Sequence, residues 1–150
     1  MHATATNPPP STPPQSLSLP PGGVVFYDGV CGFCNKFINW VILHDHRRQL
    51  RYAPLQGSTA QSLIPAKYTQ QLSTVVLHTD RGNFTHSTAV WRILFTLGGP
   101  WTIAAALLWL IPYPLRNLGY SLVGRIRYRL FGKFDSCRLP SAEERALFWD

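Results

Sequence analysis

The feature that most constrains this chain is a pair of cysteines, spaced Cys-x-x-Cys, between a short apolar run and a helical pattern. The run at 24–27 (V-V-F-Y) has the composition of a buried strand, and Cys31 and Cys34 follow it closely. From Cys34 to His44 the apolar residues recur at helical spacing, so the cysteines lie at the first turn of a helix. Free N–H groups and the helix dipole favour a thiolate there, and the pattern therefore predicts thiol–disulfide exchange.

The two cysteines have different expected roles. Cys31 lies at or before the first turn, so we expect it to be the exposed thiolate that attacks a substrate disulfide. Cys34 lies one turn further on, where its thiol can attack the mixed disulfide and release the reduced partner. Gly32, between them, would let a substrate chain approach closely. Two alternatives stay open: a zinc or iron ligand pair, although no second such pair accompanies it, and a structural pair.

Asp28, three residues before Cys31, has two interpretations. Its carboxylate could accept a proton from one thiol, or orient a water that does, which would be a supporting catalytic role. Alternatively Asp28-Gly29 is a turn dipeptide, and Asp often caps the helix that follows. The third cysteine, Cys137, is interpreted as a small buried apolar side chain rather than an additional redox partner.

Composition sets the domain plan and the compartment. The first 23 residues contain seven prolines and no charged side chain, which predicts a disordered tail over 1–23 followed by one folded domain over 24–150. The odd count of three cysteines in 150 residues argues against a secreted disulfide scaffold and favours a reducing compartment. We therefore expect a cytoplasmic protein, with membrane association left open.

The order of predicted elements indicates the fold class. Strand patterns at 24–27, 49–53, 73–79 and 84–86 alternate with helical patterns, the last two strands joined by a turn at 80–83. From Ser87, the predicted N-cap, onward the pattern is helical to about residue 132. This order predicts a thioredoxin-like α/β domain, a small mixed sheet flanked by helices, with a C-terminal helical extension.

The helical extension raises the question of a membrane. The apolar stretch 93–111 is broken at 98–100 (G-G-P), and the remaining piece is too short to span a bilayer. The next predicted helix, 115–131, has a stripe of Leu115, Leu118, Leu122, Ile126 and Leu130 and an arginine face of Arg116, Arg125, Arg127 and Arg129. We expect the stripe to face the core, and the alternative is a basic amphipathic helix on anionic lipid. No aromatic–basic motif accompanies the net charge of +7, so nucleic acid is not an expected partner.

An ordered series of residues resembles the DCC family of thiol-disulfide oxidoreductases, named for its Asp-x-x-Cys-x-x-Cys motif. The series consists of residues 27–34 (Y-D-G-V-C-G-F-C), Asp45 with Arg47 and Arg48, 52–56 (Y-A-P-L-Q), 87–89 (S-T-A), 98–101 (G-G-P-W), Pro112, Tyr120, 127–132 (R-Y-R-L-F-G) and 137–140 (C-R-L-P). The resemblance runs from about residue 24 to residue 148. It implies a thioredoxin-like fold and disulfide-reductase activity, with Asp28, Cys31 and Cys34 as the functional set.

The expected function is therefore a thiol-disulfide oxidoreductase of the protein-disulfide reductase type. No bound cofactor is expected, because electrons would come from an upstream thiol reductant. The expected partners are a disulfide-containing protein or small molecule and the upstream thiol reductant, with peripheral membrane contact through the basic C-terminal helix left open. The alternative is a metal-binding or membrane-surface adaptor that uses the Cys pair as ligands. One departure concerns substrate docking: Leu72-Ser73-Thr74 precede Val75 where thioredoxin-like enzymes usually have a cis-proline, so docking near Thr74 should be weaker or different.

Overall fold

A computed structural model describes residues 18–72, 74–132 and 141–149. Its four strands are β1 (Gly23–Tyr27), β2 (Leu50–Pro54), β3 (Val76–Thr79) and β4 (Gly82–Thr85). They form one sheet in the order β2-β1-β3-β4, in which β1 is parallel to β2 and antiparallel to β3, and β3 and β4 form an antiparallel hairpin. The predicted architecture, a small thioredoxin-like mixed sheet flanked by helices, is confirmed.

The helices of the described residues follow the predicted order, with one addition. They are α1 (Gly32–His44), α2 (Ser58–Leu63), α3 (Ala66–Gln71), α4 (His86–Leu97), α5 (Pro100–Leu110) and α6 (Tyr113–Phe131), with a 3₁₀ turn at Arg145–Leu147. Helix α3 was not predicted, because none of its residues is buried and no apolar stripe marks it. Helices α4 to α6 form the predicted C-terminal extension.

Strand β1 is the centre of the core and carries the chain into the site. All five of its residues are buried. Because successive side chains of a strand point to opposite faces, Val25 and Tyr27 pack with α1 and α4 on one side of the sheet. Val24 and Phe26 pack on the other side, in the cluster that includes Ala60 of α2. The strand is therefore fixed from both sides, and the turn after it presents the Cys-x-x-Cys segment.

The break between α4 and α5 is where the sequence predicts it. Gly98 and Gly99 have φ angles of 71° and 58°, a region that glycine adopts without a steric penalty, and Pro100 begins α5. The apolar stretch 93–111 is thereby divided between two short helices. None of the helices in the described part of the chain has the length and apolarity that crossing a membrane requires.

Helix α4 begins two residues earlier than predicted, so Ser87 is not its N-cap. Thr85 occupies the N-cap position, and the backbone N–H of His86 donates to the Thr74 hydroxyl at 2.8 Å, which starts the helix there. The Ser87 hydroxyl instead donates to Asn117 Oδ1 of α6 at 2.5 Å. Ser87 therefore joins α4 to α6 rather than capping α4.

Helix α6 packs with Arg127 inward and its leucine stripe outward, which reverses the favoured prediction for the leucines and for this one arginine, whereas Arg125 and Arg129 are exposed as expected. Arg127 is 8% exposed, whereas Leu118 and Leu122 are 68% and 59% exposed. The leucine stripe as a whole, Leu115, Leu118, Leu122, Ile126 and Leu130, is exposed. The physical reason is that buried acceptors lie under the helix: the Arg127 guanidinium reaches the Leu72 carbonyl and the Asp28 carboxylate, which would be costly to bury without a partner.

Candidate active site

The dithiol lies at the junction of β1 and α1, as predicted. Cys31 is the N-cap of α1, and its Sγ accepts the backbone N–H of Cys34 at 3.4 Å. The side-chain amide of Asn35 holds the preceding turn by donating to the carbonyls of Gly29 and Cys31, both at 2.9 Å. Both cysteines are free thiols. A sulfur that accepts an N–H at a helix N-terminus is in the environment that favours a thiolate.

Asp28 is buried and connects three parts of the chain. Its Oδ1 accepts the backbone N–H of Val30 at 3.2 Å, which confirms the turn interpretation. The same oxygen accepts the Gln56 side-chain amide at 2.9 Å, and Oδ2 accepts the Tyr128 hydroxyl of α6. Asp28 does not cap α1, because Cys31 occupies that position. Its carboxylate instead ties the turn after β1 to α6.

Arg127 is the main site residue that the sequence did not single out. Its Nη1 donates to Cys34 Sγ at 3.1 Å and its Nη2 to the Leu72 carbonyl at 2.8 Å, while Nη2 lies 3.7 Å from Asp28 Oδ2. The one sequence signal for it was its position in the R-Y-R-L-F-G motif of the family resemblance. The three residues predicted as the functional set therefore meet around a fourth, a buried guanidinium.

The electrostatics of Cys34 favour its protonated form. Burial raises the pKa of the Cys34 thiol to about 12, and the hydrogen bond to Cys31 and the charge of Cys31 act in the same direction. Arg127 opposes this shift, since a guanidinium stabilises a thiolate. Burial and the hydrogen bond to Asp28 likewise raise the pKa of Tyr128. Near neutral pH Cys34 is therefore a neutral thiol that donates or shares a proton.

Cys31 is not the exposed cysteine, which corrects the prediction. Cys31 is fully buried, whereas Cys34 is partly exposed. The C-terminal end of α6 lies over the dithiol: the Gly32 N–H donates to the Gly132 carbonyl at 3.2 Å, and the rings of Phe33 and Phe131 are 5.1 Å apart. A Cβ at Gly32 would lie 2.3 Å from the Phe131 carbonyl oxygen. The space that Gly32 was expected to leave for a substrate chain is occupied by α6.

Helix α6 also contacts the loop before β3, where thioredoxin-like enzymes usually have the cis-proline that contacts substrate backbone. The Tyr120 hydroxyl accepts the backbone N–H of Val75 at 3.0 Å and lies 3.2 Å from the Thr74 hydroxyl. The peptide bonds of the described residues are all trans. Backbone groups that an extended substrate would use next to the dithiol are thus already satisfied by the protein itself.

A cavity of about 490 Å³ lies between α1, α4, α5 and α6, with Cys34 in its wall. Most of its lining is apolar, including Phe37, Val90 and Leu108. Two cationic side chains, Arg116 and Arg127, also line it. Cys31 is not in contact with this space, so the cavity gives a small molecule access to one of the two sulfurs.

The described residues contain no group of three His, Cys, Asp or Glu side chains placed to hold a metal ion. Cys137, which the sequence interpretation treats as a buried apolar residue, lies outside the described ranges, as do residues 1–17 of the predicted tail.

Sequence comparisons agree with the geometry of the site. The sequence profile of the DCC1-like thiol-disulfide oxidoreductases matches residues 25–133, which include Asp28, both cysteines and Arg127. The uncharacterized protein YuxK of Bacillus subtilis is 33% identical over 130 residues, covering 85% of this chain and 94% of that protein. A DCC family protein of Arabidopsis thaliana, described as chloroplastic, is 31% identical over 118 residues, covering 77% of this chain and 69% of that protein. No solved structure matches the chain significantly. Both the profile and these relatives lead to one conclusion: the chain belongs to the DCC1-like thiol-disulfide oxidoreductase family.

Proposed function

We propose that this protein is a thiol-disulfide oxidoreductase in which Cys31 is the attacking thiolate and Cys34 the resolving thiol. The observation that carries the proposal is the contrast between the two sulfurs. Cys31 Sγ accepts an N–H at the start of α1, and Cys34, whose pKa burial raises to about 12, keeps its proton. A thiolate next to a protonated thiol is the reduced state that dithiol exchange requires.

The exchange proceeds in two displacements. The Cys31 thiolate attacks one sulfur of a substrate disulfide, forms a mixed disulfide and expels the first substrate thiolate, which takes a proton from water. Cys34 then loses its proton and attacks the Cys31 sulfur, which releases the second substrate thiol and leaves a Cys31–Cys34 disulfide. Arg127, 3.1 Å from Cys34 Sγ, stabilises the thiolate that forms in this second displacement.

Asp28 acts in this mechanism as a positioning residue for Arg127. Its carboxylate lies 3.7 Å from the guanidinium and also accepts the Tyr128 hydroxyl. Removal of the carboxylate should therefore slow the resolving displacement more than the attack of Cys31. Asp28→Asn tests this role by separating charge from position. Because the Asp28 charge raises the pKa of Cys34, its loss should lower the pH at which the second displacement is half-maximal, whereas loss of the position of Arg127 should lower the maximal rate of that displacement. The rate of mixed-disulfide formation should stay close to that of the natural protein.

The protein-disulfide reductase activity requires a movement of α6. An extended chain that docks beside the dithiol would need the Gly32 and Val75 N–H groups, which the Gly132 carbonyl and the Tyr120 hydroxyl now accept. A small disulfide needs neither N–H group and requires only that the cover over Cys31 open far enough to admit it. We therefore expect faster turnover of a small disulfide than of insulin.

Two cysteine variants test the proposal with both substrates. Cys31→Ser should abolish turnover, and Cys34→Ser should accumulate a mixed disulfide that a nonreducing gel or a mass measurement detects. Cys137→Ser is the matched control and should retain turnover. Unchanged turnover in both Cys31→Ser and Cys34→Ser would contradict the redox proposal. Stoichiometric zinc in the purified protein would then support the alternative in which the two cysteines are metal ligands.

A second proposed role is contact with an anionic lipid surface through the outer face of α5 and α6. One observation favours it: this face exposes large apolar side chains, among them Leu107, Trp109, Leu118 and Leu122. Arg125 and Arg129 of α6 are exposed as well, and the sequence contains no acidic residue between Asp80 and Asp135, so the face is complementary to anionic lipid.

Vesicle co-sedimentation tests this second role. The protein should pellet with vesicles of phosphatidylcholine and phosphatidylglycerol and much less with phosphatidylcholine alone. The double variant Leu118→Glu/Leu122→Glu should lose the binding, whereas Leu43→Glu, an equally exposed leucine of α1, should keep it. A concentration-dependent dimer that Leu118→Glu/Leu122→Glu dissociates, without vesicle binding by the natural protein, would assign the face to a second copy instead.

A further inference from the structure

We propose that the cavity beside Cys34 binds the reductant of this protein, and that this reductant is a small dithiol with an apolar body and an anionic group. The inference rests on the proposed function, because it names the electron donor that returns the Cys31–Cys34 disulfide to the dithiol. It adds a binding site, a ligand class and the identity of the sulfur that the donor attacks.

The first argument is access. Cys34 lines the cavity, whereas Cys31 is fully buried beneath the end of α6. Exchange requires an incoming thiolate to reach the sulfur that it attacks, so a thiol in the cavity meets Cys34. Attack on that sulfur expels Cys31 as the thiolate, and Cys31 sits at the N-cap of α1 with the Cys34 N–H as a donor. Cys34 is thus the sulfur that the donor can reach, and Cys31 is the leaving group that the protein stabilises, as this direction of attack requires.

The reaction balances with one dithiol. One thiolate of the donor bonds to the Cys34 sulfur, the Cys31–Cys34 bond breaks, and Cys31 leaves as a thiolate. The second donor thiol then gives up its proton and attacks the donor sulfur of this mixed disulfide, and Cys34 leaves and takes a proton. The donor is oxidised to a cyclic disulfide by two electrons, and the protein disulfide is reduced to two thiols by the same two electrons.

The second argument is the shape and polarity of the cavity. It encloses about 490 Å³, and its walls are mostly apolar, with Phe37, Val90, Leu115 and Val123 among them. An apolar body displaces water from such walls, which a short polar thiol does not do. Most of the apolar walls come from the helical extension rather than from the sheet, so the cavity is a feature of this chain's added helices.

The third argument is charge. Arg116 lines the cavity and makes only neutral contacts in the described chain: its Nε donates to the Ser87 hydroxyl at 2.9 Å, and no carboxylate of the described residues pairs with it. Arg127, by contrast, is paired with Asp28. Both arginines line this one cavity, Arg127 beside Cys34 and Arg116 eleven residues earlier on α6. An elongated donor can therefore hold its thiols at Cys34 and its anionic group toward Arg116.

The test uses two probes that carry the same thiols. Dihydrolipoate ends in a carboxylate and dihydrolipoamide in a neutral amide, so their comparison isolates the charge, and dithiothreitol serves as a short polar dithiol. The measurement is the second-order rate constant for reduction of the oxidised full-length protein, followed by thiol counting after acid quench. Dihydrolipoate should react about tenfold faster than dihydrolipoamide, the effect of one charge-assisted contact.

Two variants separate the charge from the cavity. Arg116→Gln should lower the dihydrolipoate rate to that of dihydrolipoamide, while the exposed control Arg125→Gln keeps the difference. Gly119→Leu should slow both lipoyl dithiols several-fold without slowing dithiothreitol, because Gly119 lines the cavity and a Cβ there meets no atom within 4 Å, which leaves room for a side chain that narrows the cavity. Leucine also favours the helix, so this variant should fold. Equal rates for the two lipoyl dithiols, or no effect of Gly119→Leu, would overturn the inference.

A mapping experiment distinguishes this inference from the proposed function. The monothiol 8-mercaptooctanoate should form a mixed disulfide on Cys34, with Cys31 open to alkylation, in a peptide map of quenched protein. An adduct on Cys31 would overturn the inference while leaving dithiol exchange intact. A protein that no dithiol, including dithiothreitol, can cycle between disulfide and dithiol would instead overturn the proposed function itself.

Discussion

The contact between Gly32 and the end of α6 gives the sharpest prediction about access to the dithiol. In Gly32→Ala the added Cβ would lie 2.3 Å from the Phe131 carbonyl oxygen, whereas ordinary van der Waals contact begins near 3.4 Å. Since the obstacle is backbone, the end of α6 must retreat by about 1 Å, the difference between these two distances. We expect this retreat to open the cover over Cys31 without unfolding the sheet.

The cost follows from the contacts that the retreat weakens. The Gly32–Gly132 hydrogen bond contributes about 0.5–1.5 kcal/mol, and the Phe33–Phe131 contact a similar amount. The higher helix propensity of alanine acts on α1 in the open and closed forms alike and does not enter this difference, and the retreat weakens the two contacts without abolishing both. The net change is about 1 kcal/mol in favour of the form in which the end of α6 has retreated. This corresponds to about a fivefold increase in the population of that open form.

The assay is the rate at which a small thiol reagent modifies Cys31 in a Cys34→Ser/Cys137→Ser background. Gly32→Ala should raise this rate about fivefold, the population change estimated above. The matched control is Gly124→Ala, a glycine of α6 itself at which a Cβ meets nothing within 4 Å, so Cys31 should react at the unchanged rate. If Gly32→Ala leaves the reactivity of Cys31 unchanged, the end of α6 is not what buries this sulfur.

Three further predictions concern the buried polar groups. Arg127→Met should lower the free energy of unfolding in urea by about 3 kcal/mol, because the Asp28 carboxylate would stay buried without its cation, and adding Asp28→Asn should restore part of the loss. Because the pKa of Cys34 rises from 9.0 to about 12 on folding, the unfolded state releases this proton first. Stability should thus fall between pH 9 and pH 12 by up to about 1.4 kcal/mol per pH unit, and Cys34→Ala should remove that part of the slope. Tyr120→Phe should cost about 1–2 kcal/mol, since the buried Val75 N–H loses its acceptor.

Each of these has a result that contradicts it. An Arg127→Met variant as stable as the natural protein would mean that the ion pair contributes nothing net to the fold. If stability falls equally steeply above pH 9 in the natural protein and in Cys34→Ala, folding does not raise the pKa of Cys34. An undiminished stability of Tyr120→Phe would mean that water replaces the hydroxyl at Val75.

The parts of the fold that depend on local pattern were predictable from the sequence. The junction of β1 and α1 follows from a buried apolar run beside a helical stripe, and the start of α5 follows from Gly98-Gly99-Pro100. The proximity of Asp28 to Cys31 was also predictable from the sequence, because the two residues lie in one turn. Short α3 was missed because a helix without a buried face leaves no periodic signal.

The parts that depend on distant contacts were not predictable. Leucines at helical spacing ordinarily mark the buried face, and α6 reverses this rule because Asp28 and the Leu72 carbonyl require a donor beneath the helix. No local pattern links Arg127 to either acceptor. The burial of Cys31 has the same origin, since the residues that cover it, Phe131 and Gly132, lie at the far end of the helical extension.

The dithiol and the end of α6 that covers it lie far apart in the sequence, and this separation has a consequence for biosynthesis. The Asp28–Tyr128 contact joins residues 100 positions apart, and the Cys34–Arg127 contact residues 93 apart. At about 5–20 residues per second, a ribosome needs roughly 5–20 s to make the chain between these positions. During that interval the nascent chain holds both thiols without the arginine, the tyrosine or the end of α6. Until α6 has been made, the dithiol of the nascent chain therefore lacks the contacts that bury Cys31 and hold Cys34.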